Sequence, residues 1–181
     1  MKFLILKKKE VLSLEANVQD KKYDYLPLGI AGLGGWLILI QIGLYFTIFT
    51  LLVQLFQYNI PAFSEDTWEI FTSIESEFYH PLWGPVIIFE ALYNISFLVF
   101  CIYILFAFYG KKAVLPRLMI VFYSLSFFVG VVDLILLYQI PIIRETEDGS
   151  SIRDIIKSAI TCAIWIPYFI KSNRVKNTFL K

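Results

Sequence analysis

The sequence predicts an all-α integral membrane protein, a four-helix transmembrane bundle with both termini in the cytoplasm. Three observations predict it. Apolar residues gather in four long blocks. Thirteen of the sixteen Lys and Arg residues fall on one side of those blocks. The first connection between blocks carries bulky apolar residues at helical spacing, which predicts an amphipathic helix in the first extracytoplasmic loop.

The chain is 58% hydrophobic and 17% charged, whereas a soluble domain is about 45–50% apolar and about 25% charged. A transmembrane helix needs about 20 mostly apolar residues. The blocks at about 33–56, 85–109, 116–138 and 152–170 meet that need. The last is the weakest, because Arg153, Asp154 and Lys157 sit in its first turns. A soluble helical core would show a polar face along each helix, and most of these blocks show none. The start, Met1 to Leu6, is too short an apolar run before Lys7-Lys8-Lys9 for a cleavable signal, so the first span is expected to be retained. Two regions follow: a charged cytoplasmic N-terminal tail over 1–28 and a transmembrane domain over 29–181.

Orientation follows from the basic residues. Lys2, Lys7, Lys8, Lys9, Lys21 and Lys22 precede the first block; Lys111, Lys112 and Arg117 lie between the second and third; Lys171, Arg174, Lys176 and Lys181 follow the fourth. The first loop has no Lys or Arg but holds Glu65, Asp66, Glu69, Glu75 and Glu77. Basic residues stay in the cytoplasm, so both termini are predicted inside. Within the first loop Ser64 is a candidate cap, and Trp68, Phe71, Ile74 and Phe78 follow at spacings of three and four. That helix would lie flat on the outer interface, as a cap over the bundle or as a lid over an outward cavity. The glycines at 29, 32, 34 and 35 suit a close backbone approach or a bend at the inner interface. They are no nucleotide loop, since no strand precedes them and no Gly-Lys-Ser/Thr follows.

Several function classes are disfavoured. A net charge of +1 points to no nucleic-acid partner. With His80 alone, no His/Cys metal cluster can be built, and Cys101 and Cys162 both lie inside apolar blocks. No metal site, cofactor or catalytic residue is predicted, and the protein is expected not to be an enzyme.

Gly34-Gly35-Trp36-Leu37, Phe89-Glu90 with Asn94, Lys111-Lys112 before Pro116, Asp133, Ile164-Trp165-Ile166-Pro167-Tyr168-Phe169 and Ser172-Asn173-Arg174-Val175-Lys176-Asn177-Thr178-Phe179 resemble the inner-membrane proteins catalogued as domain of unknown function 2569. The resemblance runs from about Gly29 to Phe179. It implies a multi-pass protein of the bacterial plasma membrane and implies no activity.

A charge at mid-membrane costs about 2.5–3.5 kcal/mol on insertion scales, so the intramembrane polar residues are the candidate site. Glu90 and Asn94, one turn apart, Asp133, Lys157 and Arg153 fall in the outer third of three different helices. Glu90, Asp133 and Lys157 are expected to converge, with Asn94 beside them and Arg153 above. Polar seams on Gly43, Thr47, Thr50 and Gln54, on Tyr123, Ser126, Gly130 and Asp133, and on Ser158, Thr161 and Cys162 should turn inward. The cluster is either a structural ion-pair network fixing helix register or an outward-facing site for a small solute, ion or lipid headgroup. On the cytoplasmic face Lys111, Lys112, Arg117, Arg174 and Lys176 form a candidate lipid-headgroup patch. The expected partners are therefore membrane lipids and a small solute or another membrane protein. The alternatives are a protomer of an oligomeric channel or transporter, and an accessory subunit of a membrane complex.

Overall fold

The computed structural model describes residues 31–179, so the N-terminal tail over 1–28 lies outside the described residues. All regular structure among the described residues is helical. Helix α1 spans Trp36–Gln54, continues through one π-helical turn, Leu55–Asn59, and ends in a short α2, Ile60–Ala62. Helix α3 is Glu65–Thr72, α4 Trp83–Tyr109, α5 Leu115–Leu137, α6 Pro141–Thr146, α7 Ser150–Lys171 and α8 Asn173–Phe179. Three continuous helices, Trp36–Ala62, α4 and α5, are long and apolar enough to cross a membrane. The pair α7 and α8, bent by 61°, makes a fourth if it counts as one broken span.

Each departure from the expected boundaries has a local cause. The first span runs past Phe56 because the π turn absorbs one extra residue without breaking the helix, which then ends at Ala62, one residue past Pro61. Helix α3 stops at Thr72, short of Ile74 and Phe78, because Ser73 turns extended. Ser64 occupies the N-cap position of α3, but its hydroxyl lies against the Pro61 carbonyl at 2.8 Å and the Thr67 hydroxyl at 2.9 Å instead of capping a backbone N–H. Helix α7 runs through Pro167 unbroken, and the chain turns at Ser172.

The start of α7 is built by its loop. Gly149 takes a left-handed φ of 84° at the N-cap. The Glu147 carboxylate accepts hydrogen bonds from the Ser151 hydroxyl and backbone N–H and the Ser150 hydroxyl, which hold its carboxyl below the usual range. Asp148 is held low by Ser150 in the same way.

The long helices pack in chain order, α1 on α4, α4 on α5, and α5 on α7. The first and last of them, α1 and α7, meet at the end of the molecule that carries α8. There Trp36 meets Trp165 edge-on, ring centres 6.2 Å apart, and the Thr178 hydroxyl accepts from the Gly32 N–H at 2.9 Å. The Arg174 guanidinium lies across Gly34 and Gly35 so closely that a Cβ at either would stand 3.2–3.3 Å from it. Beneath this closure sits the apolar core: Leu37, Ile40, Ile104, Phe108, Met119 and Phe179 are all at most 2% exposed. At the opposite end, which carries α3 and α6, the four helices spread around a cavity.

Candidate functional site

The cavity has a volume of about 570 Å³ and draws its lining from all four long helices. Its floor is Phe97, stacked on Phe122 with ring centres 4.9 Å apart. Both rings belong to the apolar core beneath. The expected inward seams supply much of the wall. Thr47, Thr50 and Gln54 come from α1, Ser126, Gly130 and Asp133 from α5, and Ser158 from α7. The α1 hydroxyls are satisfied by their own helix, Thr47 donating to the Gly43 carbonyl and Thr50 to that of Phe46. Gly130 keeps α5 close to α7, since a Cβ there would stand 3.1 Å from Ile155 Cδ1. Cys162 reinforces that contact, its Sγ 3.1 Å from the Tyr123 carbonyl oxygen.

Glu90, Asn94 and Asp133 are brought together in this cavity. Lys157 and Arg153 do not join them. Lys157 Nζ bonds Asp154 Oδ1 at 2.8 Å with its side chain 75% exposed, and Arg153 pairs with Asp148 at 3.7 Å with its side chain 65% exposed. The expected convergence of Lys157 on Glu90 and Asp133, with Arg153 above, is thus replaced by two exposed pairs. The reason is helical phase. Arg153 and Lys157, four residues apart, share one stripe of α7, while Asp154, Ser158 and Cys162, also four apart, form the adjacent stripe that faces α5. An exposed ion pair contributes about 0–1 kcal/mol. Lys157→Ala should therefore change folding stability by no more than about 0.5 kcal/mol, measured as reversible unfolding in micelles. A loss of about 3 kcal/mol or more would mark a buried partner instead.

The chain also brings in residues that the sequence reading passed over. Asp154 lines the cavity beside its bond to Lys157. Its spacing from Ser158 and Cys162 was the available signal. Asn59, 5% exposed, accepts a 2.8 Å hydrogen bond from Asn94 Nδ2, with Asn94 8% exposed. The π turn rotates Asn59 onto this face, and only the hydrophobic block around it was visible in sequence. Tyr58, Phe89 and Tyr93 add aromatic wall. Asp133 Oδ1 is shut away from solvent with no hydrogen-bond partner. Among the described residues no Lys, Arg or His lines the cavity. Among the described residues no three potential ligands are grouped to hold a metal ion.

No residue of α3 lines the cavity. That helix packs instead on the start of α4, Phe71 against Trp83 with ring centres 4.7 Å apart, and with α6 it borders a shallow apolar hollow. At the α8 end Lys111, Lys112, Arg117 and Lys176 are exposed and Arg174 is half-buried on Gly34-Gly35. All Asp and Glu among the described residues lie toward the cavity end, and the two ion pairs among them, at Asp148 and Asp154, lie there too.

Three to four long apolar helices, joined by short helical loops, define a multi-pass membrane protein. The chain belongs to the family described as protein of unknown function (DUF2569), whose model matches residues 30–180. No curated protein and no solved structure matches it.

Proposed function

We propose that this chain is a non-enzymatic protein of the bacterial plasma membrane that binds a small solute through a polar pocket open to the outside. In this reading α1, α4, α5 and the bent α7–α8 pair are its four spans, and both termini are cytoplasmic. The observation that carries the reading is the cavity itself. A volume of about 570 Å³ falls in the range of small-molecule sites, about 300–1,000 Å³, and its polar groups converge from four helices. Intramembrane carboxylates are costly, and an ion-pair network would explain them only if cations faced them. Lys157 and Arg153 pair instead with Asp154 and Asp148, their own side chains 75% and 65% exposed.

The orientation rests on the basic residues. Lys111, Lys112, Arg117, Lys171, Arg174 and Lys176 cluster at the end away from the cavity, and such residues stay on the cytoplasmic side. The cavity then opens outward. The same cluster favours anionic headgroups of the inner leaflet, each basic residue near the surface contributing about 1 kcal/mol. Helix α3 takes an interfacial place beside the cavity, and the lid alternative loses support because α3 lends the cavity no residue. A non-enzymatic role fits a lining in which carboxylates stand without a histidine or an activated nucleophile.

Cysteine labelling tests the reading. In a background carrying Cys101→Ala and Cys162→Ser, Ser126→Cys should react in intact cells with a membrane-impermeant methanethiosulfonate, whereas Lys112→Cys should react only after permeabilisation. Reaction of Lys112→Cys from outside would invert the topology. A Ser126→Cys thiol that reacts from neither side would remove the pocket.

A further inference from the structure

We infer that the solute is a small organic cation, a protonated amine on an apolar or aromatic body, gripped by Glu90 and Asp133. This inference rests on the pocket reading above and adds the ligand's chemical class. It starts from charge. Three carboxylates line the cavity, Glu90, Asp133 and Asp154. Asp154 is answered by Lys157 at 2.8 Å. Neither Glu90 nor Asp133 has a salt bridge among the described residues, and no basic side chain shares their cavity. A carboxylate withdrawn from water needs a positive partner or hydrogen-bond donors to offset its desolvation. Asp133 Oδ1 is enclosed and has no donor at all.

A second observation is independent of these acids. Asn59 and Asn94 are both more than nine-tenths buried, and one hydrogen bond joins them. Each amide carries a C=O and an NH₂. One shared bond therefore leaves a carbonyl oxygen without a donor, whichever way the two amides are turned. With Asn94 donating to Asn59, that oxygen is Asn94 Oδ1, one helical turn from Glu90 on α4. Both asparagines line the cavity, so that oxygen is available there as an acceptor. A carbonyl oxygen and two carboxylates make an acceptor-rich site, matched by a ligand that brings several N–H donors and a positive charge.

The remaining wall sets the ligand's body. Phe46, Tyr58, Phe89, Tyr93 and Phe97 present aromatic rings to the cavity. A cation over such a ring is attracted by the ring's quadrupole. A bare metal ion fits poorly, since no three potential ligands are grouped for it among the described residues and the space far exceeds one ion.

The test uses the full chain in nanodiscs of zwitterionic lipid at neutral pH. Two probes share one body: phenethylamine, which is charged, and 2-phenylethanol, which is not. Binding is read by equilibrium dialysis. Phenethylamine should bind saturably, and 2-phenylethanol should bind about tenfold more weakly or worse, as expected for losing one charged hydrogen bond. Glu90→Gln and Asp133→Asn should each weaken the amine by about tenfold, and Glu69→Gln on α3 should leave it unchanged. The comparison of the two probes on the unaltered chain needs no variant to fold. Equal binding of amine and alcohol, or binding indifferent to Glu90→Gln, overturns the cation inference and leaves a pocket that recognises the body. Absence of saturable amine binding, with Ser126→Cys still open to external reagent, overturns the inference alone. Closure of Ser126→Cys overturns the pocket reading and this inference together.

Discussion

Gly35→Ala should destabilise the protein by about 2–3 kcal/mol, while Gly43→Ala should leave it unchanged or stabilise it by about 0.5–1 kcal/mol. The two substitutions add the same methyl group, one at the N-cap of α1 and the other about two turns inside it. Gly35 sits at φ 63° and ψ −136°, a region essentially reserved for glycine, where any other residue carries strain of about 1–3 kcal/mol. Its new Cβ would also stand 3.3 Å from Arg174 Cζ. The far end of an arginine can move, but moving it lifts Arg174 from the contact that helps hold α1 to α8. Gly43 has helical geometry and nothing within 4 Å of an added Cβ. There alanine only removes backbone freedom from the unfolded chain. Reversible unfolding of both variants in one detergent measures the contrast. Equal effects would mean that the Gly34-Gly35 turn does not dock on α8.

Phe108→Ala should cost about 3 kcal/mol, near the low end of the range for a buried phenylalanine. Phe108 is 0% exposed and packs against Phe179 with ring centres 5.7 Å apart. In a membrane the unfolded reference is lipid, so the transfer gain largely vanishes and the lost packing remains. The cavity left behind lies beneath the junction of α4 and α8. The same measurement should therefore show α8 released, as faster hydrogen exchange over Asn173–Phe179. Phe106→Ala is the control, since Phe106 is 71% exposed and faces outward. Comparable losses at both positions would contradict a packed core at this end.

The parts of the fold carried by composition were legible. Long apolar blocks marked the long helices, because hydropathy over about 20 residues needs no knowledge of neighbours. The first, though, runs on to Ala62 instead of ending at Phe56, and the fourth is long and apolar enough only together with α8. The seam Ser126, Gly130 and Asp133 was legible as small and polar residues at helical spacing. So was the pair Glu90 and Asn94, which share a face wherever α4 sits. Rotation about a helix axis was harder to read. Lys157 and Arg153 looked like counter-ions because formal charges balanced, yet their stripe of α7 is exposed and pairs them with Asp154 and Asp148 instead. Asn59 was hidden by the π turn, which shifts every later residue by one position against an α-helical pattern. The hinge at Ser172 carried no strong signal, whereas Pro167 carried one and left α7 unbroken. Helix α6 is six residues long, too short for periodicity to register.

The bundle holds a polar cavity at one end above a buried apolar plug at the other, and the cavity should be wet and the plug dry. Radiolytic hydroxyl-radical footprinting of the full chain in nanodiscs tests it without any substitution, because side chains are oxidised where water reaches them. After correction for intrinsic reactivity, Phe89 and Tyr93 in the cavity wall should be oxidised readily, while Met119 and Phe108, both 0% exposed, should be protected. Oxidation of Met119 at a rate matching Tyr93, or protection of Tyr93 to the level of Phe108, would contradict it.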